Sequence, residues 1–252
     1  MTTAAVALMA TLGASLGSFG AVVAYRVPRR ESVVRPRSRC PACSRQLAAV
    51  DNVPVLSWLL LRGRCRSCAA SIPVRYALAE AVTAALFVAL WFRFGLSPVL
   101  PAYLILGAGL VVLSSVDAER HLVPNRILYP LAAMFVALLV VGAVLEGRPS
   151  RLLAAATVGY VCFDAFFLMH MARRQGMGFG DVRFAGLMGL ALGWLDPWLA
   201  LAAVVIGFGA GTVYALATRT RRVPLIPFLS IGILASVLAG EPIIRWWLGL
   251  LG

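Results

Sequence analysis

The sequence predicts an all-α polytopic membrane protein: about eight transmembrane helices with a small cytoplasmic four-cysteine domain after the first. Three observations predict it. Apolar residues make up 61% of the 252 and charged residues only 13%, about half the ~25% of a soluble domain, and the mean hydropathy is +0.89. Apolar runs near the ~20 residues that span a bilayer recur at 4–25, 76–95, 99–116, 127–145, 152–172, 182–195, 198–218 and 225–250. All 23 basic residues are arginine, against 10 acids, and they cluster between alternate runs. A soluble domain is excluded, because so apolar a chain cannot hide its surface from water. The runs are helices, because an open sheet edge leaves backbone groups unsatisfied in lipid.

The elements follow in order. No arginine precedes the first run, whereas Arg26, Arg29 and Arg30 follow it. It reads as an anchor with its N-terminus outside, since a cleavable signal peptide carries its charge first. Alternation then puts 26–75, 117–126, 173–183 and 219–222 inside, and these segments hold 19 of the 23 arginines. Arg93, Arg148, Arg151 and Arg245 fall on or near the outer side. Residues 1–25 are expected to form the first span, 26–75 an Arg-rich cytoplasmic domain, and 76–252 the main transmembrane domain. The 182–195 run is short and ends before Pro197, so a tilted or half-buried helix is expected there. The last run contains Pro227, Gly240 and Pro242 and is open to breaking in two. Glycines four apart (Gly13 and Gly17, Gly189 and Gly193, Gly207 and Gly211) suit close helix packing.

A pI near 10.9 in a soluble protein would suggest nucleic acid. Here it reports positive-inside loops and attraction to anionic lipid. Trp58 is the only aromatic stacking platform between Arg26 and Arg75, so no nucleic acid is expected.

The 26–75 segment carries Cys40, Cys43, Cys65 and Cys68 as two CxxC pairs. Each pair grips a metal from one tight turn, and two turns complete a tetrahedron, which favours structural zinc over a redox role. The reducing cytoplasm disfavours disulfides, and four protein ligands leave no position for substrate. Cys162 stands alone in an apolar run and reads as a core residue.

With ten acids, each can be weighed. Asp117 directly follows the 99–116 run, and Asp181 follows Gly178-Phe179-Gly180 before the 182–195 run. Both fall at cytoplasmic ends of spans. Two carboxylates meeting there could share a proton, one serving as general base on water and the other protonating a scissile carbonyl. The glycines before Asp181 would let an extended peptide approach. The alternative is a pair of solvated helix-end charges. Asp164 is a rival as the one acid well inside a span, with Arg173 and His170 in reach. Glu80 is expected to pair with Arg75, and His121 and His170 to be polar interface residues.

Taken together these strings resemble the type IV prepilin leader peptidases. Gly17-Ser18-Phe19 with Val22, Val23, Tyr25, Arg26 and Pro28 resembles the family's GSFxNVVxYRxP opening. The stretch from Cys40 through Asp51-Asn52-Val53-Pro54 and Trp58 to Cys68, continued by Arg75-Tyr76 and Glu80, resembles its CPxC, DNIPxLSW and LRGRCRxC pattern. Asp117 with Val123-Pro124-Asn125 resembles its first aspartate motif, Gly176 to Asp181 its GxGD box, and Pro224 to Phe228 its late IPF segment. The resemblance implies an endopeptidase of the bacterial inner membrane that cleaves leaders of type IV prepilins or pseudopilins on the cytoplasmic side. In many members it also implies methylation of the new N-terminus from S-adenosylmethionine. It assigns Asp117 and Asp181 as catalytic, the four cysteines as zinc ligands, and Gly178, Gly180 and Pro124 as supporting residues.

Two positions depart from the pattern. Ala21 stands where the family has Asn, in a part associated with methylation, and Arg183 stands where Lys is common. Arg183 keeps the charge and is expected to contact the substrate backbone or a lipid phosphate, or simply to flank the span. A transporter or channel with a cytoplasmic zinc module is the alternative from another class; it fits Asp164 but lacks an inverted repeat.

Overall fold

A computed structural model describes residues 3–35, 37–40, 42–172, 177–220, 222–240 and 242. Pro41, Arg173, Gly176, Arg221, Arg245 and the end of the last run, 243–250, lie outside the described residues. Nine helices are formed among the described residues: α1 Thr3–Arg26, α2 Leu56–Leu60, α3 Val74–Phe94, α4 Leu100–Arg120, α5 Asn125–Leu145, α6 Ser150–Ala172, α7 Phe179–Leu195, α8 Trp198–Thr218 and α9 Leu225–Leu238.

Each apolar run carries one helix, the last of them over Leu225–Leu238, and among the described residues six, α1, α3, α4, α5, α6 and α8, are long and apolar enough to cross a membrane. The expected eight full spans are thus not all reached among the described residues. At ~1.5 Å per residue the 17 residues of α7 and 14 of α9 fall short of a ~30 Å hydrocarbon core. Both can be short because protein, not lipid, surrounds them. In α7, Val182, Phe184, Ala185, Met188 and Leu192 are fully buried, as are Ile226, Leu229 and Ile233 in α9.

α4 and α7 lie at the centre. α4 packs on α1, α3, α5 and α9, and α7 on α5, α6, α8 and α9. The buried Tyr103 hydroxyl of α4 donates to the Ala191 carbonyl of α7 at 2.7 Å, while Phe94 and Phe135 enclose its ring. Tyr103 lies near the start of α4 and Ala191 near the end of α7, so the C-terminal end of α4 and the N-terminal end of α7 face the same way.

The glycine pairs do bring helices together. A Cβ at Gly13 would stand 2.7 Å from the Thr83 carbonyl oxygen of α3, one at Gly189 2.5 Å from the Val158 carbonyl oxygen of α6, and one at Gly207 3.0 Å from Leu229 Cα of α9. Without a hydrophobic effect between helices in lipid, such backbone approach supplies much of the attraction. Cys162 packs against Gly189 as a core residue.

The segment between α1 and α3 is tied to the bundle. The Val55 N–H donates to Glu80 of α3 at 2.7 Å, and Arg75 pairs with Glu119 of α4 at 2.8 Å. The expected Arg75–Glu80 pair is thus replaced. Arg75 reaches across to the neighbouring helix, and Glu80, a turn and a half further into α3, accepts from the loop backbone instead.

Candidate active site

Asp117 occupies the last turn of α4. That helix stops because His121 adopts a left-handed conformation (φ 51°), its N–H bonding the Asp117 carbonyl at 2.8 Å, and because Pro124 lies just beyond. Pro124 then starts α5, its carbonyl accepting the N–H groups of Ile127 and Leu128. The Asp117 side chain is 4% exposed and accepts the Ile226 N–H at 3.0 Å. Ile226 lies in the first turn of α9, so the carboxylate satisfies one of the donors that a helix start leaves free.

Asp181 lies in the first turn of α7 and accepts the Gly178 N–H at 3.0 Å, closing the turn in which its own N–H meets the Gly178 carbonyl at 3.1 Å. Gly180 sits against the α4–α5 turn, where a Cβ would be 2.8 Å from Val123 Cβ; the lack of a side chain lets α7 begin beside Asp117. The two carboxylates lie within each other's electrostatic reach. Each spends one oxygen on a backbone N–H, and no other hydrogen bond engages either side chain among the described residues.

Arg183 fastens this arrangement. Its guanidinium donates to the Asn125 side-chain oxygen of α5 and lies 4.4 Å from the Phe179 ring centre and 5.7 Å from that of Tyr129. At the start of α7 Arg183 thus makes an internal tie that the sequence reading did not include. Asn125 was not singled out from the sequence for a role of its own, although its place directly after Val123-Pro124 was a usable signal. His170 joins α6 to the same site, its Nδ1 2.8 Å from the Met177 carbonyl, whereas His121 is exposed. Asp164 is half-buried in α6 and makes no hydrogen bond or ion pair among the described residues.

A model of the bacterial peptidase A24 N-terminal domain matches residues 11–94, and that of the type IV leader peptidase family matches 104–240, which includes both aspartates. The chain belongs to the type IV leader peptidase family. It is 31% identical to the "Prepilin leader peptidase/N-methyltransferase" of Stutzerimonas stutzeri over 92% of this chain and 90% of that protein. The protein of the same name from Bacillus subtilis is 33% identical over 94% and 95%. A "Type 4 prepilin-like proteins leader peptide-processing enzyme" of Escherichia coli is 32% identical over 93% and 94%. No solved structure matches the chain.

In this leader peptidase the four cysteines form a second cluster. Their sulfurs all lie within 4.8 Å of one another, Cys40 Sγ and Cys68 Sγ 3.7 Å apart. A tetrahedron with metal–sulfur bonds of about 2.3 Å puts sulfurs about 3.8 Å apart, so the cluster could hold a metal ion. Both turns are built alike. The Ser44 and Ala69 N–H groups bond the Cys40 and Cys65 carbonyls at 2.9 Å, Ser44 and Ala69 are left-handed, and single bridges join Arg39 to Gln46 and Arg64 to Ser71. Between them Trp58 Nε1 donates to the Ile72 carbonyl at 3.0 Å, and Arg66 pairs with Asp51 at 2.7 Å. The N–H groups of Cys43 and then Ala42 hold the Cys40 thiol down at about 7. At Cys68 the Ala70 N–H pulls downward, but desolvation and the neighbouring thiols push it up to about 12. Four crowded thiols cannot all ionise without a cation among them.

Proposed function

We propose that this leader peptidase is an aspartic endopeptidase of the bacterial inner membrane that removes the leader from type IV prepilins or pseudopilins at the cytoplasmic boundary, then methylates the exposed N-terminus. The observation that carries the reading is the meeting of Asp117 and Asp181 at one end of two antiparallel central helices, each with a carboxylate oxygen to spare. One carboxylate takes a proton from a water that attacks the scissile carbonyl; the other, protonated, gives its proton to the carbonyl oxygen. Collapse of the tetrahedral species returns a proton to the departing amine. Val123, Gly180 and Arg183 hold the two helix ends in register. In this reading the N-terminus lies outside, 1–25 is an anchor, 26–75 a cytoplasmic zinc domain and 76–252 the peptidase domain.

Cys40, Cys43, Cys65 and Cys68 would hold zinc, and the sulfur spacing supports it. Zinc with four protein ligands supplies folding energy and no catalytic position. The methyl group would come from S-adenosylmethionine, in keeping with the names of the relatives. Of the two described cavities, one of about 30 Å³ is too small for that donor, and the other, about 500 Å³, is lined by two arginines and offers no acid to a sulfonium.

Co-expression with a prepilin, followed by intact-mass measurement of the pilin, tests the reading. The wild type removes the leader mass, and Asp117→Asn and Asp181→Asn do not. Processing that persisted in both variants would overturn it. A further gain of one methyl mass reports the second activity.

A further inference from the structure

The motif residues that the aspartates do not account for converge elsewhere. Ser18, Phe19, Val22 and Arg26 from the opening motif, with Asn52 and Pro54 from the loop, line the cavity of about 500 Å³ between α1 and the four-cysteine domain. This cavity is distinct from the aspartate site, because α1 itself stands between them. Gly13 and Gly17 turn toward α3 and Gly20 toward Val112 of α4. The cavity lies half a turn away, on the face that leaves the bundle.

That outward face has a marked polarity along its length. Leu8, Leu12, Ser15, Phe19, Val22 and Arg26 follow one another at spacings of three and four and form one stripe. Its far half is apolar and bare, with Leu8 55% and Leu12 43% exposed. Its near half enters the cavity, where Arg26 and Arg37 supply guanidinium groups and Ser18 a hydroxyl, the Ser15 hydroxyl being spent on the Thr11 carbonyl at 2.8 Å. Arg26 spends one N–H on the Ser32 carbonyl at 3.0 Å and keeps its remaining donors. No carboxylate is among the described residues lining the cavity.

We propose that this cavity seats the phosphate headgroup of one anionic phospholipid, with its acyl chains along Leu12 and Leu8. The profile matches such a molecule part by part. Guanidinium forks suit a phosphate, the Ser18 hydroxyl suits an ester carbonyl, and the bare leucines suit hydrocarbon. Unbalanced positive charge selects phosphatidylglycerol over phosphatidylcholine, whose ammonium would face the arginines. The lipid would bridge α1 and the four-cysteine domain and fix their relative position.

The test uses the purified full chain and native mass spectrometry with added phosphatidylglycerol or phosphatidylcholine. One phosphatidylglycerol is retained under conditions that strip phosphatidylcholine. At roughly fivefold in affinity per arginine near an anionic lipid, Arg37→Gln weakens retention about fivefold, and together with Arg26→Gln about 25-fold. Ser18→Phe narrows the cavity without changing charge and weakens retention of the lipid. Arg148→Gln, an exposed arginine far along the chain, leaves it unchanged and controls for net charge. Equal retention of the two lipids, or an equal loss in Arg148→Gln, would overturn the proposal in favour of diffuse attraction. Displacement by millimolar inorganic phosphate would overturn it in favour of a soluble anion, and displacement by S-adenosylhomocysteine in favour of the methyl donor.

Discussion

Replacing Asp117 separates its two roles, because its carboxylate both lies within electrostatic reach of Asp181 and accepts the Ile226 N–H. Asp117→Ala removes the acceptor. Ile226 is fully buried and Asp117 4% exposed, so water does not substitute, and an orphaned buried donor costs about 1–3 kcal/mol. Asp117→Asn keeps an oxygen of the same reach for that N–H while losing the ionisable proton. Both variants should therefore lose peptidase turnover, by about 10³-fold or more on the scale of acid–base contributions. Only the alanine variant should also lose stability. At about 2–4 °C per kcal/mol for a chain of this size, it should melt roughly 2–12 °C below the asparagine variant in the same detergent. The assays are thermal unfolding followed by helix signal and cleavage of a prepilin read by mass. Coincident melting of the two variants would refute the capping role of the carboxylate, and wild-type cleavage by Asp117→Asn would refute its catalytic role.

The remaining predictions concern the supports of the site. Arg183→Ala and Asn125→Ala should each lower turnover about tenfold, with the double variant no worse than either, since they break one contact; additive losses would separate them. Gly189→Ala, whose Cβ would stand 2.5 Å from the Val158 carbonyl oxygen, must push α6 from α7 and should cost about 1–3 kcal/mol by overpacking, measured as a lower melting point. Zinc should be present at one ion per chain by elemental analysis and be lost in Cys65→Ser. Binding needs all four thiolates and the Cys68 thiol holds its proton up to about 12, so affinity should fall as pH is lowered throughout this range, and more steeply below the Cys40 value of about 7, with protons displacing the metal. A metal content unchanged down to pH 5 would contradict this. Asp164→Asn should leave cleavage unchanged, whereas an ion flux dependent on Asp164 would favour a transporter.

Much of the site was legible because its parts are local. Two CxxC turns declare their geometry within four residues each, and the sulfurs come together as their spacing suggests. The glycine pairs marked helix contacts for a similar reason, since residues four apart share one face wherever that helix packs. Asp117 and Asp181 could be placed at helix ends because apolar runs stop there. What failed needed a partner from another helix. Arg75 was matched to Glu80 by nearness in the chain, yet it pairs with Glu119. The tie from Arg183 to Asn125, 58 residues away, likewise shows only in the fold. Hydropathy alone did not separate α7 and α9 from the six longer helices, because it reports apolar surroundings without saying whether they are lipid or protein.

By itself the sequence determined that this chain is a helical membrane protein with a four-cysteine module and two aspartates at helix ends. Composition, run length and close spacing are properties of short stretches, and a bilayer permits few answers to them. Only the tertiary structure decided which helix faces which. It set α4 and α7 antiparallel at the centre, and it brought the start of α9, 109 residues along the chain, to Asp117. The physical reason is that α4, α7 and α9 are apolar on every side. Their sequences carry no stripe to fix rotation, so close backbone packing and a few buried hydrogen bonds between distant segments set it instead.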